Sequence, residues 1–366
     1  MQRRTFVRTT VAGAAGAGLL AGCGPAQENA GGSGSSMPRI SWRLASSFSR
    51  SLDTIYGAAE IFANRVSGIT GGRFTIRCYP GGEMVPALEV LGAVQNGTIQ
   101  MGHSASYYYV GHNPAFAFDT GVPFGLSARQ HNAWLYYGGG LELLRSLFAD
   151  FNIVNFPGGN TGTQMGGWFR RPVDTAADLR GIKMRIPSVG GRVMARLGVN
   201  VQLIPGGEIY PALERGAIDA TEWVGPYDDE KLGLNDIADY YYYPGWWEPS
   251  AGLSFYVNMN AWNELPETYK EIVAAAAAEA NVLMLASYDA KNPAAYERLL
   301  EGGTDIRPFS DDILNAARRE TNAYLDENAA ADAEYAQLLE SYRGYADASR
   351  RWFSTAEQAY TDFIRR

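Results

Sequence analysis

The chain has 366 residues, 46% of them hydrophobic, 12% aromatic and 19% charged. That is the composition of a folded soluble protein with room for two domains, and it excludes a disordered, collagenous or disulfide-stapled chain. With 31 Lys and Arg against 39 Asp and Glu the formal charge is -8, and no basic run follows the N-terminus, so a nucleic-acid groove is not expected.

Arg3 and Arg4, with Phe6 close behind, precede an apolar Gly/Ala-rich stretch from Val11 to Leu20. The stretch is too short to span a bilayer, which takes about 20 apolar residues, and the arginine pair resembles a bacterial twin-arginine export signal. Leu20-Ala21-Gly22-Cys23 resembles a lipoprotein signal-peptidase site that would leave Cys23 as an acylated N-terminus; ordinary cleavage nearby is the alternative. Residues 1–22 therefore read as an export signal to a periplasmic location. Losing them removes three arginines and no acids, giving 28 minus 39, or -11. Residues 23–38 have the composition of a flexible tether. Cys78 is then the remaining cysteine, so no intramolecular disulfide is expected in the mature domain unless Cys23 escapes acylation. Phe74, Ile76 and Cys78 alternate with the period of a half-buried strand.

An internal repeat follows. PGGEMVPALE from Pro80 and PGGEIYPALE from Pro205 match at eight of ten positions, at an offset of 125. Each copy predicts a turn, a helix stopped at Gly97 or Gly216, and a strand. The first copy inserts VLGAVQN, which predicts the longer helix. The strand ends then fall at Ser104 to Tyr109 and at Glu222 to Tyr227. Two similar α/β lobes are implied, and ligands of open α/β sheets sit at such strand ends and between domains.

The stretches PVDTAADLRGIKMRIP, LGVNVQLIP and ALERGAIDATE resemble the solute-binding proteins of tripartite ATP-independent periplasmic (TRAP) transporters, the DctP family, from about Arg39 to Phe309. TEWVGPYDDEKLG from Thr221 and YYYYPGWWE from Tyr240 resemble its 2-oxo acid binding subgroup. The resemblance implies a two-lobed α/β solute-binding protein with a cleft between lobes, a membrane permease as partner, and a long C-terminal helical extension. The expected lobes are 39–160 with 251–309, and 161–250, with residues 310–366 as the extension.

Arg185, near the end of a strand-like segment, offers a guanidinium fork that can grip a carboxylate through two parallel hydrogen bonds. A structural ion pair is the alternative reading, and the resemblance implies the ligand role. Lys183 and Arg192 fit solvated or packing positions. Glu222 and Glu248, if both face the cleft, give with a bound carboxylate a charge of -3 against +1 from Arg185, costly to desolvate without a cation. The resemblance implies a metal held by Gln164, Glu222, the Trp223 carbonyl and Glu248, with sodium favoured and calcium the alternative. A 2-oxo acid would chelate it through one carboxylate oxygen and the keto oxygen. Gln164 should lie where the chain first crosses between lobes. Tyr107, Tyr108 and Tyr109 should end a strand, with at least one ring, first Tyr107, facing the cleft. Trp168, Phe169 and Trp246 are candidates for an apolar wall around a short alkyl chain.

No G-x-S-x-G elbow, P-loop, G-x-G-x-x-G or paired-histidine metal spacing is present, so an enzyme is not expected. The best enzymatic alternative, Glu222 and Glu248 as a glycosidase acid and base, leaves Arg185 unused. Two non-enzymatic functions also fit the sequence: a receptor for a 2-hydroxy acid such as lactate with calcium, and a sensory lipoprotein. Past Pro266 a long Ala-rich helix is predicted, interrupted at Pro293, then a short strand to Phe309 and a helix capped by Ser310. Tyr335, Leu338, Tyr342, Tyr345, Trp352, Ala356 and Phe363 form a heptad-like stripe. It either docks on its own core or, as the resemblance implies, is swapped into a homodimer.

Overall fold

The structure, a computed structural model, describes residues 37–366; the expected signal, Cys23 and nearly all of the tether lie outside the described residues. The chain runs through β1 (Ile40–Ser46), β2 (Phe74–Tyr79), β3 (Met101–Ser104) and β4 (Ile153–Asn160). Next come β5 (Gly167–Phe169), β6 (Lys183–Arg185), β7 (Asn200–Gln202), β8 (Ala220–Thr221) and β9 (Tyr240–Tyr243), then β10 (Gly252–Asn258) and β11 (Asp305–Pro308). Two sheets result, ordered β2-β1-β3-β10-β4 and β11-β9-β5-β8-β6-β7. The chain therefore leaves the first sheet after β4, returns to it for β10, and leaves again for β11.

β10 is buried along its whole length, because both faces of the first sheet are covered. Its alternating side chains show this: Phe255 stacks on Phe62 of the helix Gly57–Ile69 at 4.3 Å, while Tyr256, facing the other way, meets Phe148 of the helix Gly140–Ala149 at 5.6 Å. In β2, Phe74 and Ile76 are buried and Cys78 half-buried, the expected alternation.

Three expectations change. The first lobe does not keep residues up to 309: β11 pairs in parallel with β9, Asp305 opposite Tyr240 through Pro308 opposite Tyr243. The cause is the 35-residue helix Glu267–Glu301, which at 1.5 Å per residue carries the chain roughly 50 Å, far enough to reach the second sheet. That helix is also not interrupted at Pro293. Pro293 and Asp289, whose carbonyl loses its usual helical partner, both lie on the exposed face, where water can satisfy that carbonyl. Finally, the two repeat copies carry helices of equal length, Val90–Gln95 and Ile209–Glu214, 6 residues each. In the first copy Pro86 falls in the preceding turn and the inserted residues form the helix. In the second, Pro211 lies in the first helical turn, where a missing N–H costs little. Both helices stop at a glycine with left-handed φ, +72° at Gly97 and +69° at Gly216.

At the C-terminus, the helices Asp311–Ala331 and Ala333–Phe353 are capped by the Ser310 and Asp332 side chains, which accept from the Ile313 and Tyr335 amides. The first half of the apolar stripe docks on its own chain. Tyr335 and Tyr342 pack on Phe118, Tyr342 meets Trp134 edge-on at 5.0 Å, and its hydroxyl accepts from the Leu126 amide at 2.7 Å. Trp352 and Phe363, further along, are 64% and 72% exposed.

Candidate functional site

Two crossing segments and two strand ends meet between the sheets. Gln164 lies on the β4–β5 crossing and Glu248 on the β9–β10 crossing, while Arg185 ends β6 and Glu222 and Trp223 follow β8. All five are buried. Thr161 ties the crossings together: its hydroxyl accepts from the Gln164 side-chain amide and from the Ala251 backbone, both at 2.9 Å. Arg185 is held rigidly. Its Nε donates to the Ile204 carbonyl and its Nη1 to the Glu222 carbonyl, each at 3.2 Å, Nη1 also meets Glu222 Oε1, and the guanidinium lies 5.2 Å from the Trp223 ring centre. Across the gap, the Tyr107 hydroxyl donates to Glu248 Oε1 at 3.3 Å.

Four buried polar atoms at this junction find no hydrogen-bond partner among the described residues: Gln164 Oε1, Glu222 Oε2, Glu248 Oε2 and Arg185 Nη2. Native interiors rarely leave such groups unpaired. Three are acceptors suited to a hard cation, and the fourth is a donor suited to a carboxylate. The electrostatics agree. Burial pushes the Glu222 carboxyl up to about 7 despite Arg185, and burial together with Glu222 raises Glu248 well above the usual carboxylate range. The two carboxylates thus oppose each other's charge unless a cation joins them. No cluster of three His, Cys, Asp or Glu side chains suited to a metal occurs among the described residues, so an ion here would depend on amide and carbonyl oxygens as well.

Several expectations are corrected by the packing. Tyr107, Tyr108 and Tyr109 form a 3-10 turn after β3 instead of ending it. Tyr107 and Tyr108 consequently both reach the site. The Tyr108 hydroxyl, pushed up to about 12 by burial, lies near Arg185, which opposes that rise. Tyr109 turns back toward Ser104 at 3.1 Å. The expected wall of Trp168, Phe169 and Trp246 is not the wall observed. Trp168 stacks on Tyr241 at 4.0 Å and donates to Asp229, Phe169 packs edge-on to Tyr242, and Trp246 stacks on Phe124. The inner cavity is lined instead by Phe48, Ile55, Val224, Ala251 and Leu253 beside Tyr107, Tyr108, Thr161, Gln164 and Trp223. Sequence reasoning missed Phe48 and Thr161, and it put Tyr107 ahead of Tyr108 where both reach the site. It also missed Asp228, which holds the Trp223 indole Nε1 at 3.4 Å and accepts from the Tyr288 hydroxyl at 2.6 Å; the signal was the DD pair inside TEWVGPYDDEKLG.

Residues 45–332 match the family model described as bacterial extracellular solute-binding protein, family 7, DctP. The chain belongs to this family. As a DctP protein it is an extracytoplasmic solute receptor of the TRAP type with the two-lobed α/β binding-protein fold. It is 50% identical over 363 residues, 99% of each chain, to a monocarboxylate 2-oxoacid-binding periplasmic protein of Nostoc sp.. A TRAP solute-binding protein of Bordetella bronchiseptica, a mixed-occupancy dimer with copurified calcium and picolinate in one site, superposes with a TM-score of 0.88. The two are 46% identical, over 89% of this chain and 97% of that one. A TRAP solute-binding protein of Pseudoalteromonas atlantica with bound sodium and pyruvate gives 0.86 at 41% identity, over 88% and 99%.

Proposed function

We propose that this receptor binds a 2-oxo acid of the pyruvate type together with one metal cation and delivers it to a TRAP permease in the membrane. The observation that carries the reading is the set of four unpaired buried atoms, three acceptors and one donor, in a junction walled by two carboxylates and an arginine. Gln164, Glu222, the Trp223 carbonyl and Glu248 would hold the ion, Arg185 Nη2 would take the acid's carboxylate, and Tyr107 would close the first-lobe side. The ion supplies charge that neutralises the carboxylates and a point to which the acid can chelate. Pyruvate and picolinate, bound by the two structural relatives, share one feature: a donor atom adjacent to the carboxylate, able to close a five-membered ring on a cation. Sodium fits this donor set better than calcium, because Arg185 already engages one oxygen of Glu222 and lowers the negative charge left for the ion.

The acid leaves unchanged, since Glu222 is paired with Arg185 and Glu248 with Tyr107, and no nucleophile is activated at the junction. The twin-arginine-type signal and acylation at Cys23 complete the proposal, as does a homodimer formed through the C-terminal extension. Protein purified without added ligand and examined by native mass spectrometry should carry acid and ion together. Stripped of metal in sodium-free and calcium-free buffer, it should lose tight binding of pyruvate and 2-oxobutyrate in titration calorimetry, and adding back one ion should restore it. Equal affinity with neither ion present would remove the cation from the site.

A further inference from the structure

Two cavities meet at one pair of rings. The inner one, next to the unpaired polar atoms, encloses about 10 Å³, room for barely one water. The outer one encloses about 450 Å³ and is lined largely by apolar groups, among them Leu52, Met84, Val85, Pro86 and Ala87. Both glycine turns of the internal repeat border it, Gly81-Gly82 from one lobe and Gly206-Gly207 from the other. Phe48 and Trp223 are the residues common to both linings, and their rings touch edge-on with centres 6.4 Å apart. The glycines permit this arrangement: a Cβ at Gly206 would come within 2.5 Å of the Trp223 ring, and one at Gly81 within 2.9 Å of the Ser47 carbonyl.

We infer that Phe48 sets the chain length of the acid this receptor accepts. The inference rests on the 2-oxo acid reading. With the carboxylate and keto oxygens engaged by the unpaired polar atoms, the alkyl tail is left the apolar part of the inner lining, Ile55, Leu253 and Phe48. Trp223 is pinned by Arg185 and Asp228, so Phe48 is the shutter. Its ring meets His103 at 5.5 Å, and its backbone is fixed by Ser46 and by the Gly81 amide. Behind it lies the outer pocket, partly open and lined mainly by apolar groups, which a longer tail would enter if the ring were absent.

The test is a calorimetric series of straight-chain 2-oxo acids from pyruvate to 2-oxooctanoate, on the wild type, Phe48→Ala, and Phe48→Ala combined with Val85→Phe to refill the outer chamber. Wild-type affinity should fall at least tenfold by 2-oxooctanoate. In Phe48→Ala it should instead rise with length, by up to about fourfold per buried methylene, and the added Val85→Phe should cancel the rise. A wild type that binds pyruvate and 2-oxooctanoate equally, or a Phe48→Ala profile parallel to that of the wild type, overturns the role of Phe48 and leaves the 2-oxo acid reading standing. Failure of the wild type to bind any member of the series would overturn that reading itself.

Discussion

Arg185 has two obligations at once. One terminal nitrogen pairs with Glu222 and the other is buried with no partner among the described residues, an arrangement costly in the free protein that a bound carboxylate would repay. Arg185→Lys keeps the charge but loses the planar fork, so 2-oxo acid binding should weaken by at least about 2 kcal/mol, roughly thirtyfold. Titration calorimetry with pyruvate checks this, and unchanged affinity would place the carboxylate elsewhere. At this scale the sequence was legible where a residue sits in a distinctive string. Arg185 in GIKMRIP, Glu222 and Trp223 in TEWVG, Glu248 in WWE and Gln164 in TGTQMG do converge on one junction. Phe48 was not legible: one aromatic after a strand gives no periodic or spacing signal, and its role comes from a contact with Trp223 across 175 residues of chain. The tyrosine triplet misled because a strand pattern and a 3-10 turn look alike over three residues; the turn is held by the Tyr108 amide donating to the Ala105 carbonyl at 3.1 Å and by the Thr120 hydroxyl accepting from the Tyr107 amide at 3.3 Å.

Among the elements, crossings were easier to place than their lengths. The expected first crossing at Gln164 holds: the Asn160 side chain at the end of β4 accepts from the Gly162 amide at 2.9 Å, and Gly162, with φ +68°, turns the chain out of the sheet. The third crossing was missed, because an Ala-rich helix carries little information about where its far end will dock. The C-terminal stripe shows the same limit: a heptad-like pattern says that a face is covered, not by what. Here Tyr335 to Ala346 is covered by the chain's own helices, while Trp352, Tyr360, Phe363 and Ile364 are each at least 60% exposed, a concentration of apolar side chains that isolated monomers rarely present. The second copy of the proposed dimer would bury them. Removing residues 352–366 should therefore convert a dimer into a folded monomer, read by light scattering, with pyruvate affinity unchanged because no part of the junction is touched. A full-length protein that is monomeric at high micromolar concentration would rule out the dimer.

For the whole molecule the question is what holds the lobes together. The segment after β1 carries Asp53, which faces Tyr227 and Lys231 on the helix Pro226–Lys231 of the second lobe and Lys291 on the long helix. The Tyr227 hydroxyl donates to both carboxylate oxygens at 3.0 and 3.1 Å, Lys291 donates at 3.1 Å, and Lys231 also pairs with Asp53. Both lysines lie 4.7 Å from the Tyr227 ring centre. These contacts tie the segment after β1 to the second-lobe helix and to the long helix, so they should favour the closed, ligand-retaining state. The charged groups are one-third to one-half exposed, and their contribution is that of a screened surface network, not a buried pair. Asp53→Asn should therefore weaken pyruvate binding by only about two- to fivefold, through faster dissociation with little change in association, in stopped-flow tryptophan fluorescence. Partial burial opposes the Asp53 charge, and Lys231, Lys291 and Tyr227 more than offset it, holding the carboxyl at about 2. A carboxylate depressed in this way is fully ionised above about pH 4 and loses its contacts only as the pH falls through 2. The difference between wild type and variant should accordingly stay constant from pH 5 to 8 and shrink as salt rises toward 1 M. A difference that varies across that pH range, or that survives high salt, would mean that closure is held by some other contact.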